Sequence, residues 1–130
     1  MGLAKYSFSK AEKLTGKKRI EGLFKTGSSF YLSDFQVRHL LSQEEVKHHR
    51  ILISVPKRYF KRAVDRNLIK RRIREAYRLN KGLVEHKATL YIGFIYLSKQ
   101  ILTFHEIQDQ LIRILSRLGN NNADRNEQKT

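Results

Sequence analysis

The segment from about Arg62 to Asn80 constrains the fold most, because its apolar residues recur at helical spacing on one side only. At about 100° per residue, Ile69, Ile73, Ala76 and Tyr77 fall together. An amphipathic helix of this kind gains stability by packing its apolar side against another element. The sequence therefore predicts a helix that lies on a hydrophobic core and leaves its opposite side free.

The opposite side of this helix carries only cations and one amide. We call this surface the cationic side; it consists of Arg66, Asn67, Lys70, Arg71, Arg74 and Arg78. Like charges four residues apart cost a few tenths of a kcal/mol per pair in an isolated helix. Phosphate groups would offset this cost, because guanidinium groups pair with phosphate oxygens through two hydrogen bonds. The pattern favours phosphate binding over the alternative, a merely solvated face, and the amide suits a ribose hydroxyl or a base edge.

The net charge supports a polyanionic partner. The chain has 130 residues, with 27 Lys and Arg against 12 Asp and Glu, which gives a formal net charge of +15. Residues 1–25 hold seven basic and two acidic side chains, and residues 57–81 hold eleven and two, so these two segments carry nearly all of the excess. A concentrated excess of this size is typical of proteins that bind nucleic acid.

The remaining pattern predicts a single α+β domain over residues 1–119 with a basic N-terminal arm, followed by a polar and disordered tail at 120–130. Thr15 is a candidate N-cap for the first helix, and Gly27 follows that helix. The Thr103/Glu106 pair is a capping box, and Gly119 is expected to end the last helix. Helices are predicted at 17–25, 62–80 and 103–119, and strands at 35–41, 51–55 and 90–97, the last of them central.

Several classes of function are excluded or disfavoured by composition. The chain contains no Cys, which removes disulfide scaffolds and thiol nucleophiles. No apolar run approaches the roughly 18 residues of a membrane span, so we expect a cytoplasmic protein. The histidines have no metal-ligand spacing, and no two carboxylates form a general acid/base pair. We interpret the histidines as surface residues, with the inner face of its strand as the alternative for His39; they are His39, His48, His49, His86 and His105.

The spacing Arg66-Asn67-x-x-Lys70-Arg71-x-x-Arg74 resembles the signature of the bacterial ribonuclease P protein family. Two further stretches resemble the same family. The residues Ser54-Val55-Pro56-Lys57-Arg58 are similar to the strand end that precedes its basic helix, and Leu23-Phe24-Lys25-Thr26-Gly27 to the end of its first helix. In element order the resemblance runs from about Phe8 to Leu118.

The resemblance implies a two-layer α/β sandwich in the order α-β-β-β-α-β-α, with a left-handed β-α-β crossover, a fold shared with a domain of a small-subunit ribosomal protein. It also implies the protein subunit of a ribonucleoprotein endoribonuclease that functions in tRNA processing. The catalytic centre of such an enzyme lies in its RNA subunit. That RNA and the substrate hold Mg²⁺, and the reaction removes the 5′ leader of precursor tRNA. The implied partners are therefore ribonuclease P RNA and the precursor tRNA leader, with no catalytic residue in the protein.

Carried over by position, the resemblance assigns two sets of site residues. The leader cleft would be lined by Phe24, Ile20, Gln36 and Arg38. Phe24 is either a base-stacking residue or a core residue. Many family members have an aromatic residue at the position of Ile20 and Tyr at that of Arg38, so leader binding here is expected to depend less on stacking and more on charge. The expected RNA contacts are Arg66, Asn67, Lys70, Arg71, Arg74, Arg78, Lys57, Arg58, Lys17 and Lys18.

Two other classes of protein compete with this interpretation. A ribosomal protein of similar size and charge would bind RNA without assisting cleavage, and only the motif spacing argues against it. A DNA-binding protein with its helix in the major groove is the second alternative. The predicted strands on both sides of the basic helix argue against a helix-turn-helix.

Overall fold

The structure is a computed structural model that describes residues 8, 10–42, 44, 48–85 and 88–129, with no side-chain description for residues 85 and 121–129. A short 3-10 helix at Lys10–Glu12 precedes the first α-helix. The α-helices are α1 (Lys17–Thr26), α2 (Ala63–Asn80), α3 (Gly82–Glu85) and α4 (Phe104–Lys129), and the strands are β1 (Ser28–Leu32), β2 (Phe35–Leu41), β3 (Arg50–Ser54) and β4 (Leu90–Tyr96).

The four strands form one mixed sheet in the order β1-β2-β4-β3. Strand β2 pairs antiparallel with β1 and with β4, whereas β3 pairs parallel with β4. The α2 helix lies in the crossover between these two parallel strands, in agreement with the fold that the resemblance implies. Strand β4 is central, as predicted, and its side chains are buried on both faces except at Ile95.

The main core lies between one face of the sheet and the helices α2 and α4. Strand β2 contributes its alternate residues Phe35, Val37 and His39, which are all buried. The predicted apolar side of α2 is confirmed, because its four buried residues are Ile69, Ile73, Ala76 and Tyr77. This burial fixes the direction in which the rest of the helix faces.

The α1 helix packs on the opposite face of the sheet, which adds a small third layer. Its fully buried Leu23 forms a second core with Leu14 and Tyr91, and Ile20 packs against this core while partly exposed. Gly93 of β4 lies under Leu23, since a Cβ at residue 93 would stand only 3.1 Å from Leu23 Cδ2. The α1 helix therefore approaches the sheet closely at one point.

A buried ion pair fixes the N-terminal arm to the end of α2. Glu12 Oε1 accepts a hydrogen bond from Lys81 Nζ at 2.6 Å, and the two residues are only 2% and 7% exposed. A parallel bridge between Lys13 and Ile51 joins the same segment to the edge of the sheet. Residues 10–13 of the arm are thus part of the folded domain.

Several element boundaries differ from the sequence predictions. Gly16, not Thr15, occupies the N-cap of α1, with a φ of 93° that a glycine tolerates. Gly119 does not end the last helix; the backbone of α4 is helical through Lys129, where the sequence predicts a disordered tail. The pattern also gave no indication of β1, because only Phe30 in that strand is buried. The predicted cap at Thr103 is confirmed, since its Oγ1 accepts from the Glu106 N–H at 3.2 Å.

Within the described residues, no helix has both the length and the apolar character needed to cross a membrane.

Candidate nucleic-acid interface

The cationic side of α2 faces away from the core. Asn67 and Arg71 are exposed, and Lys70 and Arg74 are half-buried. None of these four side chains forms an ion pair with a residue that the structure describes. The charges of Lys70, Arg71 and Arg74 are therefore available to an external anion.

Arg66 has a structural contact that the helical pattern did not reveal. Its Nη1 donates to the carbonyl oxygens of Phe60 at 2.7 Å and Lys61 at 3.0 Å. The guanidinium thereby ties the preceding loop to the first turn of α2. Arg66 is half-buried, so one part of this side chain serves the fold while the rest faces outward.

Arg78 differs from the other cations because Glu75 neutralises part of its charge. Its Nε and Nη2 each donate to a Glu75 carboxylate oxygen at 2.7 Å. These hydrogen bonds lower the pKa of Glu75 and raise the pKa of Arg78. Glu75 is not part of the cationic side, and the helical pattern does not predict this ion pair, which forms because the long guanidinium of Arg78 reaches a residue three positions earlier.

The N-terminal arm and α2 together form an open groove of about 300 Å³. Phe8 packs edge-on against Tyr77 with ring centroids 5.9 Å apart, which brings the arm beside the helix. The sequence predicts a basic N-terminal arm but does not identify Phe8 or Lys13 as site residues. The groove is lined by Phe8, Lys13, Arg71, Arg74, Glu75 and Arg78.

The other predicted cations lie on exposed turns. Lys57 and Arg58 follow β3, and the Arg58 guanidinium lies 5.0 Å from the centroid of the Tyr59 ring. Lys17 and Lys18 occupy the exposed first turn of α1. Cations at a helix N-terminus oppose the helix dipole, so these lysines do not stabilise the helix in which they lie.

Arg38 of β2 joins the end of α1 to the sheet. Its Nη2 donates to the carbonyl oxygen of Phe24 at 2.6 Å, and its Nε to that of Leu23 at 3.4 Å. The last carbonyls of a helix lack partners within the helix, and a cation beside them also complements the helix dipole. Arg38 is therefore a capping residue for α1 as well as a candidate contact for RNA.

The same guanidinium stacks on Phe24, with its Cζ 5.2 Å from the ring centroid. Phe24 is 41% exposed and belongs to neither core. Of the two alternatives for this residue, the structure therefore speaks against the core position and leaves the ring accessible for stacking. Gln36 lies on the same face of β2, half-exposed. Phe24, Arg38 and Gln36 thus share one open surface, whereas Ile20 packs against the second core.

An ion-pair network lies at the other end of α1. Arg19 holds the Glu44 carboxylate through two hydrogen bonds of 2.7 and 2.8 Å, and the Tyr91 hydroxyl donates to the same carboxylate. These bonds lower the pKa of Glu44 from 4.5 to about 2, with a smaller contribution from the charge of Arg50. The network fixes the start of α1 against β4.

The histidines do not form a site among the described residues. His39 is buried on the inner face, which was the alternative for this residue, and the prediction that His49 lies on the surface is wrong. The His49 Nδ1 accepts from the Leu90 N–H at 2.9 Å, so its Nε2 carries the proton that is donated to the Val84 carbonyl at 2.6 Å. The described residues contain no group of three His, Asp or Glu side chains that fits a metal ion.

Comparisons with known proteins agree with these features. The family described as "Ribonuclease P" matches residues 8–119. The "Ribonuclease P protein component" of Porphyromonas gingivalis strain W83 is 34% identical over 122 residues, which cover 89% of each chain.

Two solved structures are similar as well. The Staphylococcus aureus RNase P protein superposes with a TM-score of 0.71 at 30% identity, and the superposition covers 84% of this chain and 96% of the Staphylococcus aureus chain. The Thermotoga maritima RNase P protein gives a TM-score of 0.69 at 26% identity, with 82% and 96% covered. The chain therefore belongs to the bacterial ribonuclease P protein family, the protein component of a ribonucleoprotein endoribonuclease.

Proposed function

We propose that the protein binds the catalytic RNA of ribonuclease P through the cationic side of α2 and the 5′ leader of precursor tRNA through the surface beside α1. In this role it assists removal of the leader, which produces the mature 5′ end of tRNA in the cytoplasm. The observation that carries the proposal is that Lys70, Arg71 and Arg74 form no ion pair with any residue that the structure describes, on the outward side of a helix that is anchored by its buried side.

The chemistry of α2 suits an RNA backbone. Arg71 and Arg74 line one groove, so two guanidinium groups point at a common space. Guanidinium groups bind phosphate oxygens with paired hydrogen bonds, and an amide such as that of Asn67 is suited to a ribose hydroxyl or a base edge. Lys13 adds a cation from the arm, so binding at this groove would engage two segments far apart in sequence.

The surface beside α1 suits a single strand. Proteins bind single-stranded RNA by stacking its bases on aromatic or guanidinium planes and by attracting its phosphates. Phe24 and Arg38 supply one plane of each kind in contact with each other, and Gln36 supplies an amide beside them. This combination supports leader binding at the site that the family resemblance assigns.

Catalysis in this proposal belongs to the RNA. Mg²⁺ prefers oxygen ligands such as phosphates and carboxylates, and the described carboxylates do not cluster into a group that fits it. We therefore assign Mg²⁺ to the RNA subunit and the substrate, and derive no step through the protein.

Reconstitution tests the RNA-subunit part of the proposal. The protein is mixed with a bacterial ribonuclease P RNA and a precursor tRNA at low Mg²⁺, and 5′ cleavage is compared with that of the RNA alone. We expect faster cleavage with the protein, and a loss of the gain when Arg71 and Arg74 are both changed to Ala. Arg113→Ala is a matched control, because it removes an exposed cation from α4. No gain over RNA alone would contradict the proposal.

Leader length tests the second part. Precursor tRNAs with a long leader and with a one-nucleotide leader are compared for binding to the holoenzyme and to the RNA alone. We expect the protein to strengthen binding of the long-leader substrate more than that of the short one. An equal effect on both substrates would show that the protein does not contact the leader.

A further inference from the structure

Tyr31 is the most exposed large apolar side chain among the described residues, at 67%. It lies on β1, an edge strand, and its register partner is Gln36. Phe30 and its partner Val37 point into the main core. Successive residues of a strand point to opposite faces, so Tyr31 and Gln36 lie on the face away from that core. The sheet leaves this aromatic side chain uncovered beside the candidate leader surface.

The neighbours of Tyr31 complete a row of planar groups. Arg38 is the diagonal neighbour of Tyr31 across the β1–β2 pair, a relation that places such residues about 7–8 Å apart, within reach of long side chains. On its other side Arg38 stacks on the Phe24 ring. The order across the surface is therefore an aromatic ring, a guanidinium and a second aromatic ring.

We infer that Tyr31 stacks on a base of the single-stranded leader, at a different nucleotide from the one that contacts Phe24. This inference rests on the proposed function and adds a residue to the leader surface. An aromatic–cation–aromatic row suits a single strand, because every base has a π-face and every nucleotide a phosphate. The family resemblance leads one to expect aromatic residues at the positions of Ile20 and Arg38. Tyr31 of β1 thus supplies an aromatic side chain from a different element.

The surroundings of Tyr31 also favour an anionic occupant. Ser29, its neighbour on the same face, is exposed and uncharged. Asp34, in the adjoining turn, accepts a hydrogen bond from the Gln110 Nε2 of α4 at 2.8 Å and is therefore held toward the core side. Arg38 contributes a positive charge within reach, so base stacking at Tyr31 and attraction of the neighbouring phosphate act together.

The test compares Tyr31→Ala, Tyr31→Leu and Tyr31→Phe holoenzymes on precursor tRNAs with a long or a one-nucleotide leader. We expect Tyr31→Ala to weaken binding of the long-leader substrate about 5- to 150-fold, the effect of one lost base stack. Tyr31→Phe should bind like the wild type, Tyr31→Leu should resemble Tyr31→Ala, and the one-nucleotide leader should be insensitive to all three changes. Leu83→Ala is the matched control, because Leu83 is 40% exposed on α3.

A scan of single abasic positions in the leader identifies the nucleotide. We expect one position whose abasic change weakens binding to the wild type but not to Tyr31→Ala, and another that behaves in this way with Phe24→Ala. If Tyr31→Ala binds the long leader like the wild type while the wild type still prefers that leader, the inference is wrong and the proposed function stands. Loss of the preference in the wild type itself would instead refute leader binding. A self-association of the free protein that Tyr31→Ala abolishes, without an effect on the leader, would assign the surface to a second copy.

Discussion

At the scale of single residues, the junction between α1 and the sheet depends on the absence of a side chain at Gly27 and on the capping of α1 by Arg38. Gly27 follows α1, and its N–H donates to the Leu23 carbonyl at 3.1 Å. A Cβ at residue 27 would overlap that same carbonyl oxygen and stand 3.0 Å from the His39 carbonyl. Because both obstacles are backbone atoms, they cannot move aside as a flexible side chain would.

The first prediction concerns this close approach. We expect Gly27→Ala to lower the free energy of unfolding by about 1–3 kcal/mol, the usual cost of overpacking. Urea denaturation of the free protein measures the change. Gly82→Ala is the matched control, since a Cβ at residue 82 meets nothing within 4 Å; in α3 it should raise stability by about 0.5–1 kcal/mol. Equal stability of the two variants would show that the space at residue 27 is not limiting.

The second prediction concerns Glu44, whose pKa is lowered from 4.5 to about 2 by hydrogen bonds from Arg19 and Tyr91. A group with a depressed folded-state pKa stabilises the fold above its unfolded pKa, and this contribution disappears as pH falls through the folded value. The wild type should therefore be more stable than Glu44→Gln near neutral pH, and the difference should shrink between pH 4.5 and 2. Unfolding of both proteins across this range measures it. A difference that stays constant with pH would contradict the ion-pair explanation.

At the scale of elements, α2 combines a structural side and a binding side, and Arg66 belongs to both. From the helical pattern alone, Arg66→Ala and Arg74→Ala should each weaken RNA binding and leave the fold intact. The hydrogen bonds from Arg66 to the Phe60 and Lys61 carbonyls change this expectation for Arg66. Loss of these bonds frees the loop that leads into the helix.

The third prediction separates these two roles. We expect Arg66→Ala to lower the free energy of unfolding by about 1–3 kcal/mol, because two hydrogen bonds of about 0.5–1.5 kcal/mol each are lost. Arg74→Ala should stay within about 0.5 kcal/mol of the wild type, as surface substitutions usually do. Urea denaturation without RNA measures stability, and filter binding to ribonuclease P RNA measures affinity, which both variants should lose. If both variants kept full stability, the hydrogen bonds of Arg66 would not contribute to the free energy of unfolding.

At the scale of the whole molecule, folding concentrates the charge that the sequence distributes over two segments. Lys13 of the arm lines the same groove as Arg71 and Arg74, although these arginines lie far from it in the chain. The buried pair of Glu12 and Lys81 fixes the arm in this position. The net charge of +15 therefore acts through a defined surface.

The fourth prediction follows from that surface. If the protein engages about six to ten phosphates, its affinity for ribonuclease P RNA should fall about 10³- to 10⁵-fold between 50 and 200 mM salt, because each contact releases counterions. The double variant with Ala at positions 71 and 74 should reduce the slope of log affinity against log salt by about 1.4–1.8. A salt response that is flat for the wild type would mean that the cationic side is only a solvated face.

The sequence by itself determined the periodic elements and the family. The helical spacing of Ile69, Ile73, Ala76 and Tyr77 predicted the buried side of α2, because helix geometry fixes which residues share a side. The same geometry placed Asn67, Lys70, Arg71 and Arg74 on the free side. These properties are local, so a linear pattern is sufficient to predict them.

Only the tertiary structure decided which segments meet. No local pattern predicts that Glu12 pairs with Lys81, that His49 lies buried between Val84 and Leu90, or that Tyr31 stands diagonal to Arg38. These contacts depend on the strand order and on the face of the sheet that α1 covers, both of which result from packing between distant parts of the chain. The residue pattern does not predict the short strand β1, although the family resemblance implies three strands before the basic helix, because Phe30 alone is buried in β1 and one buried residue makes no alternating pattern.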